Sequence, residues 1–393
     1  MDLRFADRMN NVQKSFIREI LKVVGNPEII SFAGGLPNPI SFPVKGIQEV
    51  TNKILQEDGV NILQYSTTEG YQPLREYISE RYFKNSGLKI DPEEILITNG
   101  SQQGLDLIGK IFIDKDDDIL IEEPGYLGAI QSFSMYEPKF HAIPMLEDGV
   151  NIKLLEENLK KYDPKLFYAV PNFQNPSGIT YTAENREKVA ALLKGSNTIF
   201  VEDDPYGELR FIGEKIPSMK SYLSDNTILL GSFSKIVSPG MRLGWICAKK
   251  EIMEKLIIAK QAADLQSNYF AQRVVYEYLK ENDIEIHIEK IRELYKTQRD
   301  CMVSAIDEYF PSEVKITRPE GGMFIWVTLP ENYSSLDLFD IVIKKNVAFV
   351  PGDPFYSGKE GMNTFRLNYT NSDEEKIKQG IKALAEGIKE LLG

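Results

Sequence analysis

The chain has 393 residues, of which 42% are hydrophobic and 26% are charged, a composition typical of a globular protein with a large buried core. Its formal net charge is −12 and it has no basic cluster, which argues against nucleic acid and anionic membranes as partners. The two cysteines and two histidines are too few for a disulfide framework and are not spaced as zinc or hydrolytic motifs, so we expect no metal site.

Short apolar runs in the first two thirds of the chain are each followed at once by a polar or glycine-containing turn, which predicts buried parallel strands. These runs are Glu94–Thr98, Asp118–Ile121, Leu166–Val170, Thr198–Val201 and Thr227–Leu230. Helical stretches lie between them at Ser101–Phe112, Ile152–Lys160, Glu184–Leu193 and Ile252–Gln261. The alternation predicts an α/β fold with a mostly parallel sheet covered by helices on both faces.

The last third of the chain has a different pattern. Val314–Leu329, Val347–Val350 and Thr364–Asn368 are strand-like, and an amphipathic helix runs from about Asp373 to Leu392. This pattern predicts a smaller α+β domain. We place the boundaries at 1–45 for an N-terminal segment that contributes to the small domain and the substrate site, 46–289 for the large domain and 290–393 for the small domain.

Ligands of open α/β sheets bind beyond the carboxyl ends of the strands, so the residues after each run are the first candidates for a site. Ser101 and Gln102 follow one strand and open a helix, where free N–H groups favour a phosphate, although Ser101 could equally be a simple helix cap. Ser232, Ser234 and Arg242 surround Lys235 after another strand, and an arginine fork suits a phosphate.

Three further strand ends carry chemistry. Asp203 ends a very apolar run, where a protonated pyridine nitrogen would keep its carboxylate charged, and Tyr206 follows closely. Asn175 can donate a hydrogen bond, and Tyr126 offers a ring on which a planar ligand can stack. Turn chemistry alone accounts for each segment taken singly. Together they predict one site.

With these motifs in place, the chain resembles the fold-type I pyridoxal-phosphate enzymes of the class I/II aminotransferase family, from about Ser15 to the terminal helix. The resemblance implies a pyridoxal-phosphate-binding domain over 46–289 and makes Lys235 the lysine that forms the Schiff base. It pairs Asp203 with the pyridine nitrogen. It makes Asn175 and Tyr206 the ligands of the phenolic oxygen, so that Lys235, Asp203 and Tyr206 are the catalytic residues.

The resemblance also assigns the rest of the site. Tyr126 stacks on the cofactor ring, and the phosphate ligands are Ser101, Gln102, Ser232, Ser234 and Arg242. Tyr65 matches a tyrosine that reaches the phosphate of a neighbouring subunit, which implies a homodimer. Arg366 matches the arginine that binds the substrate's α-carboxylate, and Gly35 matches a backbone contact beside it.

The N-terminal segment around Arg18 is similar to 2-aminoadipate, kynurenine-type and aromatic aminotransferases, in which that position lies near the substrate side chain. The expected reaction is a ping-pong transfer of an amino group to a 2-oxo acid such as 2-oxoglutarate. A lyase or decarboxylase on the same fold and a pyridoxal-phosphate-sensing regulatory module are the alternatives. No signal peptide and no apolar run of about 20 residues is evident, so we expect a cytoplasmic protein.

Overall fold

The structure is a computed structural model that describes residues 3–10, 28–358 and 361–393. The strands of the described residues are β1 Ile30–Ser31, β2 Ile95–Thr98, β3 Asp118–Glu123, β4 Lys139–Leu146, β5 Gly149–Val150, β6 Leu166–Ala169, β7 Ile199–Asp203, β8 Thr227–Ser232, β9 Gly244–Cys247, β10 Lys315–Ile316, β11 Phe324–Thr328, β12 Val347–Ala348, β13 Val350–Pro351 and β14 Thr364–Asn368.

The helices are α1 Val44–Ile62, α2 Gln72–Ser86, α3 Ser101–Phe112, α4 Leu127–Ser134, α5 Ile152–Tyr162, α6 Ala183–Leu193, α7 Met219–Tyr222, α8 Lys250–Asp264, α9 Tyr269–Glu281, α10 Ile284–Tyr309, α11 Ser335–Val342 and α12 Glu374–Leu392. Short 3₁₀ turns lie at Asp7–Asn10, Pro39–Ser41, Pro92–Glu94, Gly207–Leu209, Pro239–Met241, Ile343–Lys345 and Asp353–Phe355. In the part of the chain that the structure describes, no helix combines the length and the apolar character needed to cross a bilayer.

The main sheet has eight strands in the order β2-β9-β8-β7-β6-β3-β4-β5. Its five central strands, from β8 to β4, are parallel to one another. The prediction that Glu94–Thr98 is a parallel strand is wrong, because β2 pairs only with β9 and runs antiparallel to it. Since β9 is also antiparallel to β8, β2 nevertheless points the same way as the central strands. The carboxyl ends of β2 and of the five central strands therefore meet at one edge.

Helices cover both faces of this sheet. Successive side chains of a strand point to opposite faces, so neighbours in sequence enter different cores. Tyr168 of β6 packs in the core that contains Phe133 of α4, whereas Phe167 packs in a separate core that contains Val189 of α6. The predicted α/β fold with helices on both faces is confirmed.

The second sheet is antiparallel and has four strands in the order β10-β11-β14-β13. Strand β1 pairs with β12 nearby, and α12 packs against α10 and α11. The predicted smaller α+β part is confirmed, while the boundaries at 45 and 289 stay a prediction. Arg366 lies in the middle of β14, where it pairs with Trp326 of β11 and Val350 of β13.

Candidate active site

A cavity of about 260 Å³ opens where the carboxyl ends of the main sheet meet the small sheet. Its walls include most of the side chains that the sequence singled out, namely Gly35, Ser101, Gln102, Tyr126, Asn175, Asp203, Tyr206, Ser232, Ser234, Lys235, Arg242 and Arg366. Tyr65 does not line the cavity of its own chain and is 79% exposed. Arg18 lies outside the described residues.

One end of the cavity concentrates positive charge. Helix α3 begins at Ser101 without a side-chain cap, so its first N–H groups are open to a ligand. Gly100 precedes it with φ +78°, and a Cβ there would lie 3.0 Å from Arg242 Nη2. Arg242 Nη2 donates to the carbonyl of Asn99 at 3.2 Å. A guanidinium held beside a helix N-terminus is a site for a phosphate.

Lys235 and Arg242 belong to one loop that joins β8 to β9. The ends of this loop are fixed to each other, because Ser232 pairs with Gly244 and the N–H of Phe233 donates to the carbonyl of Leu243 at 3.1 Å. The amine of Lys235 and the guanidinium of Arg242 are therefore carried by a short loop whose two ends are held together. Both side chains line the cavity.

Asp203 supplies the negative charge of the site. It is 2% exposed, and its Oδ2 accepts a hydrogen bond from the Tyr168 hydroxyl at 2.8 Å. Oδ1 has no hydrogen-bond partner among the described residues. Burial raises the pKa of Asp203 to about 7, while the Tyr168 hydrogen bond acts to lower it. A protonated ring nitrogen would satisfy the free oxygen.

Asn175 connects the two halves of the cavity. Its Nδ2 donates to the Tyr206 hydroxyl at 3.3 Å, and its Oδ1 accepts a hydrogen bond from Arg366 Nη1 at 2.7 Å. Tyr206 packs edge-on against Phe324 of the small sheet. Burial raises the pKa of Tyr126 to about 12, so its hydroxyl stays protonated and its ring is a neutral surface for stacking.

Arg366 is a buried cation without an ion pair among the described residues. It is 3% exposed, its guanidinium lies over the rings of Phe324 and Phe355, and its Nη2 donates to the carbonyl of Ala33 at 2.8 Å. Its Nε has no partner. Burial lowers the pKa of Arg366 to about 10, which leaves it charged at neutral pH. A carboxylate ligand would compensate this charge.

Lys235 brings an amine into the cavity. Its Nζ donates to the carbonyl of Gly35 at 3.0 Å. Burial, reinforced by the positive charges of Arg366 and Arg242, lowers the pKa of Lys235 to about 8. A useful fraction of neutral amine is therefore present near neutral pH, as covalent attachment to a carbonyl requires.

These groups fit pyridoxal phosphate. The cavity offers a cationic cup for a phosphate, a buried carboxylate with a free oxygen, a ring to stack on and an amine of lowered pKa. A second anion, separate from the phosphate, fits at Arg366. Sequence reasoning missed Tyr168, whose hydroxyl donates a hydrogen bond to Asp203 although its side chain does not line the cavity. The available signal was a tyrosine in an aliphatic strand next to the strand that ends in Asp203.

Comparison with known proteins gives a consistent result. Residues 40–384 match the family model described as aminotransferase class I and II. The chain is 44% identical to aromatic-amino-acid aminotransferase 1 of Thermococcus litoralis, over 98% of this chain and 94% of that protein. It is 42% identical to the 2-aminoadipate transaminase of Thermus thermophilus, over 99% of this chain and 97% of that protein. The crystal structure of Pyrococcus horikoshii kynurenine aminotransferase in complex with PMP matches with a TM-score of 0.95 and 44% identity, over 99% of this chain and 98% of that one.

The uncompensated charge of Arg366 predicts a difference between two buried arginines. Arg186 donates hydrogen bonds to the carbonyls of Tyr181, Pro171 and Pro217 and to Asn172, and lies outside the cavity. We expect Arg186→Met to lower the free energy of unfolding by about 3–5 kcal/mol, because those acceptors lose their donor. We expect Arg366→Met to lower it by less than about 1 kcal/mol, because only two acceptors lose their donor and the removal of a buried charge without an ion pair among the described residues offsets that loss.

Urea unfolding of the ligand-free proteins measures both changes. Circular dichroism before unfolding serves as the control for a native starting state. An equal loss of stability in the two variants would show that Arg366 supports the fold as Arg186 does. It would contradict the view that Arg366 is buried, at a cost in stability, in order to bind a ligand.

Proposed function

This chain belongs to the class I and II aminotransferase family, and from that premise we propose how its cavity binds the reactants and moves the proton. The protein is a pyridoxal-phosphate enzyme that exchanges an amino group between an amino acid and a 2-oxo acid. One observation carries the assignment of roles. A buried unpaired guanidinium, a buried carboxylate with one free oxygen and a lysine of lowered pKa face the same cavity.

We assign the cationic end of the cavity to the cofactor's phosphate, which would be held by Ser101, Gln102, Ser232, Ser234 and Arg242. Tyr126 would stack on the ring. Asn175 and Tyr206 would donate hydrogen bonds to its phenolic oxygen. Asp203 would pair with its nitrogen. When bound, the cofactor supplies an electron sink that stabilises the negative charge developing at the substrate's α-carbon.

Lys235 has two tasks in this proposal. Its amine would hold the cofactor in the resting enzyme, and when free, Nζ would take the proton from the substrate's α-carbon. Its pKa of about 8 suits both tasks, because a useful fraction of the released amine is unprotonated near neutral pH. The carbonyl of Gly35, which accepts a hydrogen bond from Nζ, fixes the side of the cavity from which the amine acts.

Arg366 positions the substrate. A carboxylate at the guanidinium would take the place of weaker acceptors and neutralise a cation that is otherwise buried without an ion pair among the described residues. Asn175, already bonded to Arg366, orients it toward the cavity. Gly35 would provide a backbone contact beside the α-carboxylate.

The proposed donors are 2-aminoadipate and aromatic or aliphatic amino acids, with 2-oxoglutarate as an acceptor. The relatives above are named for aromatic amino acids, 2-aminoadipate and kynurenine, which supports the first two of these donor classes. Among the described residues, the cations that line the cavity are Lys235, Arg242 and Arg366. All three have tasks in the proposal, so a distal carboxylate needs a further cation, and Arg18 is the candidate.

We propose that the enzyme is a homodimer in which Tyr65 binds the phosphate in the partner's cavity. Large apolar side chains are exposed on the single chain near the cavity and along α1, and they are Leu36, Ile40, Val44, Val60, Leu63 and Leu265. Exposed apolar residues in such number support a protein interface. Tyr65 lies in the same stretch, is exposed, and does not line its own cavity.

The function is tested with Lys235→Ala and, as a control, Lys139→Ala, which removes an exposed lysine of β4. Lys235→Ala is expected to lose the visible absorbance of the covalently held cofactor and to slow transamination by at least about 10²–10⁴-fold, because the proton-transferring amine is gone. Lys139→Ala should match the wild type. Unchanged turnover in Lys235→Ala would contradict the role of this lysine.

The same preparation separates transamination from the alternative reactions. Wild-type enzyme incubated with an amino acid and no acceptor is expected to release one 2-oxo acid per site and then stop, since the amino group stays on the cofactor. Continuous release of ammonia or carbon dioxide would identify a lyase or a decarboxylase instead.

A panel of amino donors with 2-oxoglutarate tests the substrate class. In Arg18→Gln we expect kcat/KM for 2-aminoadipate to fall by about 10–100-fold, because a charge-assisted hydrogen bond to the distal carboxylate is lost. The kcat/KM for phenylalanine should stay within about 2-fold of the wild type. An equal loss for both donors, or no activity of the wild type with 2-aminoadipate, would contradict the distal role of Arg18.

Hybrid dimers test the task of Tyr65. Tyr65→Phe alone is expected to weaken cofactor binding by about 10-fold, because one hydrogen bond to a charged phosphate is lost. A hybrid of Tyr65→Phe and Lys235→Ala subunits should recover about half of the wild-type activity at limiting cofactor, because one of its cavities then has both Lys235 and a tyrosine from the partner. A hybrid no better than Tyr65→Phe, or a monomeric enzyme by light scattering, would overturn the arrangement.

A further inference from the structure

The two oxygens of the Asp203 carboxylate have different surroundings. Oδ2 accepts the hydrogen bond of the Tyr168 hydroxyl at 2.8 Å, and both residues are almost fully buried. Oδ1 faces no donor among the described residues. A buried carboxylate oxygen without a donor is unusual, because the desolvation penalty is not offset. The asymmetry is therefore a feature of the site.

The register of β6 and β7 explains why Tyr168 reaches this carboxylate. Tyr168 pairs with Val201 in the parallel ladder. Side chains alternate between the faces of a strand, so Asp203 lies on the same face as Val201, one step closer to the cavity. The long tyrosine side chain spans this diagonal. Phe133 of α4 packs edge-on against the Tyr168 ring at 5.9 Å, which fixes the hydroxyl in place.

We propose that Tyr168 is a positioning residue for the Asp203 carboxylate. Its hydroxyl donates a hydrogen bond to Oδ2, which leaves Oδ1 free to pair with the cofactor's ring nitrogen. This inference rests on the proposed pairing of Asp203 with that nitrogen. Tyr168 lies behind Asp203 and is not among the residues that line the cavity, so it acts only through the carboxylate.

A second consequence concerns the charge of Asp203. Burial raises its pKa to about 7, and the Tyr168 hydrogen bond opposes this rise by stabilising the charged form. As the pH falls through this pKa, Asp203 takes up a proton and can no longer pair with a protonated ring nitrogen. The other titratable groups that interact with Asp203 are Asp204 beside it, Glu122 on β3, and Tyr126 and Tyr206 on the cavity wall.

Binding of pyridoxamine phosphate to the cofactor-free enzyme tests the proposal without relying on turnover. Calorimetric titrations across the neutral pH range compare this ligand with an analogue in which a C–H group replaces the ring nitrogen. In Tyr168→Phe we expect affinity for pyridoxamine phosphate to fall by about 10-fold or more at neutral pH. We also expect the midpoint of its pH dependence to rise by about one unit.

The analogue separates positioning from packing. Without a ring nitrogen there is nothing for Oδ1 to hold, so Tyr168→Phe should bind the analogue within about 2-fold of the wild type. Tyr136→Phe is the matched control, because its hydroxyl also donates to a carboxylate, that of Asp106 at 2.7 Å, outside the cavity. It should leave both affinities and the pH midpoint unchanged.

An equal loss of affinity for both ligands in Tyr168→Phe, or an unmoved pH midpoint, would overturn the proposal. Replacing residue 168 by 3-fluorotyrosine is a second test that keeps the packing. A stronger hydroxyl donor should move the pH midpoint in the opposite direction, toward lower pH, and a midpoint that does not move would again count against the proposal.

Asp203→Asn distinguishes failure of this inference from failure of the proposed function. If Asp203 pairs with the ring nitrogen, Asp203→Asn loses affinity for pyridoxamine phosphate but not for the analogue. Should Asp203→Asn discriminate between the ligands while Tyr168→Phe does not, the function stands and the role of Tyr168 falls. If neither variant discriminates, the assignment of Asp203 itself is wrong.

Discussion

The structure depends on one constraint: opposite charges are buried around the same cavity and are not paired with each other. Asp203 ends a strand of the large sheet, and Arg366 lies in the small sheet. Asn175 stands between them, bonded to Arg366 and to the Tyr206 hydroxyl. Water-poor surroundings make such unpaired groups unfavourable. A cationic ring nitrogen would pair with Asp203, and a carboxylate would pair with Arg366. The free energy that these unpaired charges cost the free protein would then be recovered when the ligands bind.

Strand direction brings these groups together. The central strands are parallel, and β2 points the same way because β9 reverses the direction on each side of itself. The N-terminus of α3 and the end of β7 therefore meet at one edge although their strands are not neighbours. The helix brings positive charge to one end of the cavity and Asp203 brings negative charge to another. We therefore expect a ligand with a negative phosphate and a positive ring nitrogen to fit the cavity in one orientation.

The sequence was most informative where an apolar run ends abruptly in polar residues. Such transitions predicted the ends of β2, β3, β6, β7 and β8, and the structure gathers Ser101, Tyr126, Asn175, Asp203 and Lys235 around one cavity. The sequence could not predict which strands pair with each other. The direction of β9 and the contact of Tyr168 with Asp203 depend on the register between segments that are distant in the chain. Arg366 gave no signal of its own, since a strand arginine is ordinary until the opposing sheet is known. The proposed task of Tyr65 needs a partner chain, and Arg18 lies outside the described residues.

The closed loop between β8 and β9 has a consequence for how this site can vary. The Lys235 amine and the Arg242 guanidinium share a loop whose ends are hydrogen-bonded to each other. An insertion or deletion within 233–243 would displace Lys235 relative to Arg242. Changes of length in the surface connections of the sheet would leave the relative positions of these two residues unchanged. We therefore expect the length of this loop to be constrained. The whole loop could be exchanged between proteins that have the same pair of strands, whereas single insertions or deletions within it would not be tolerated.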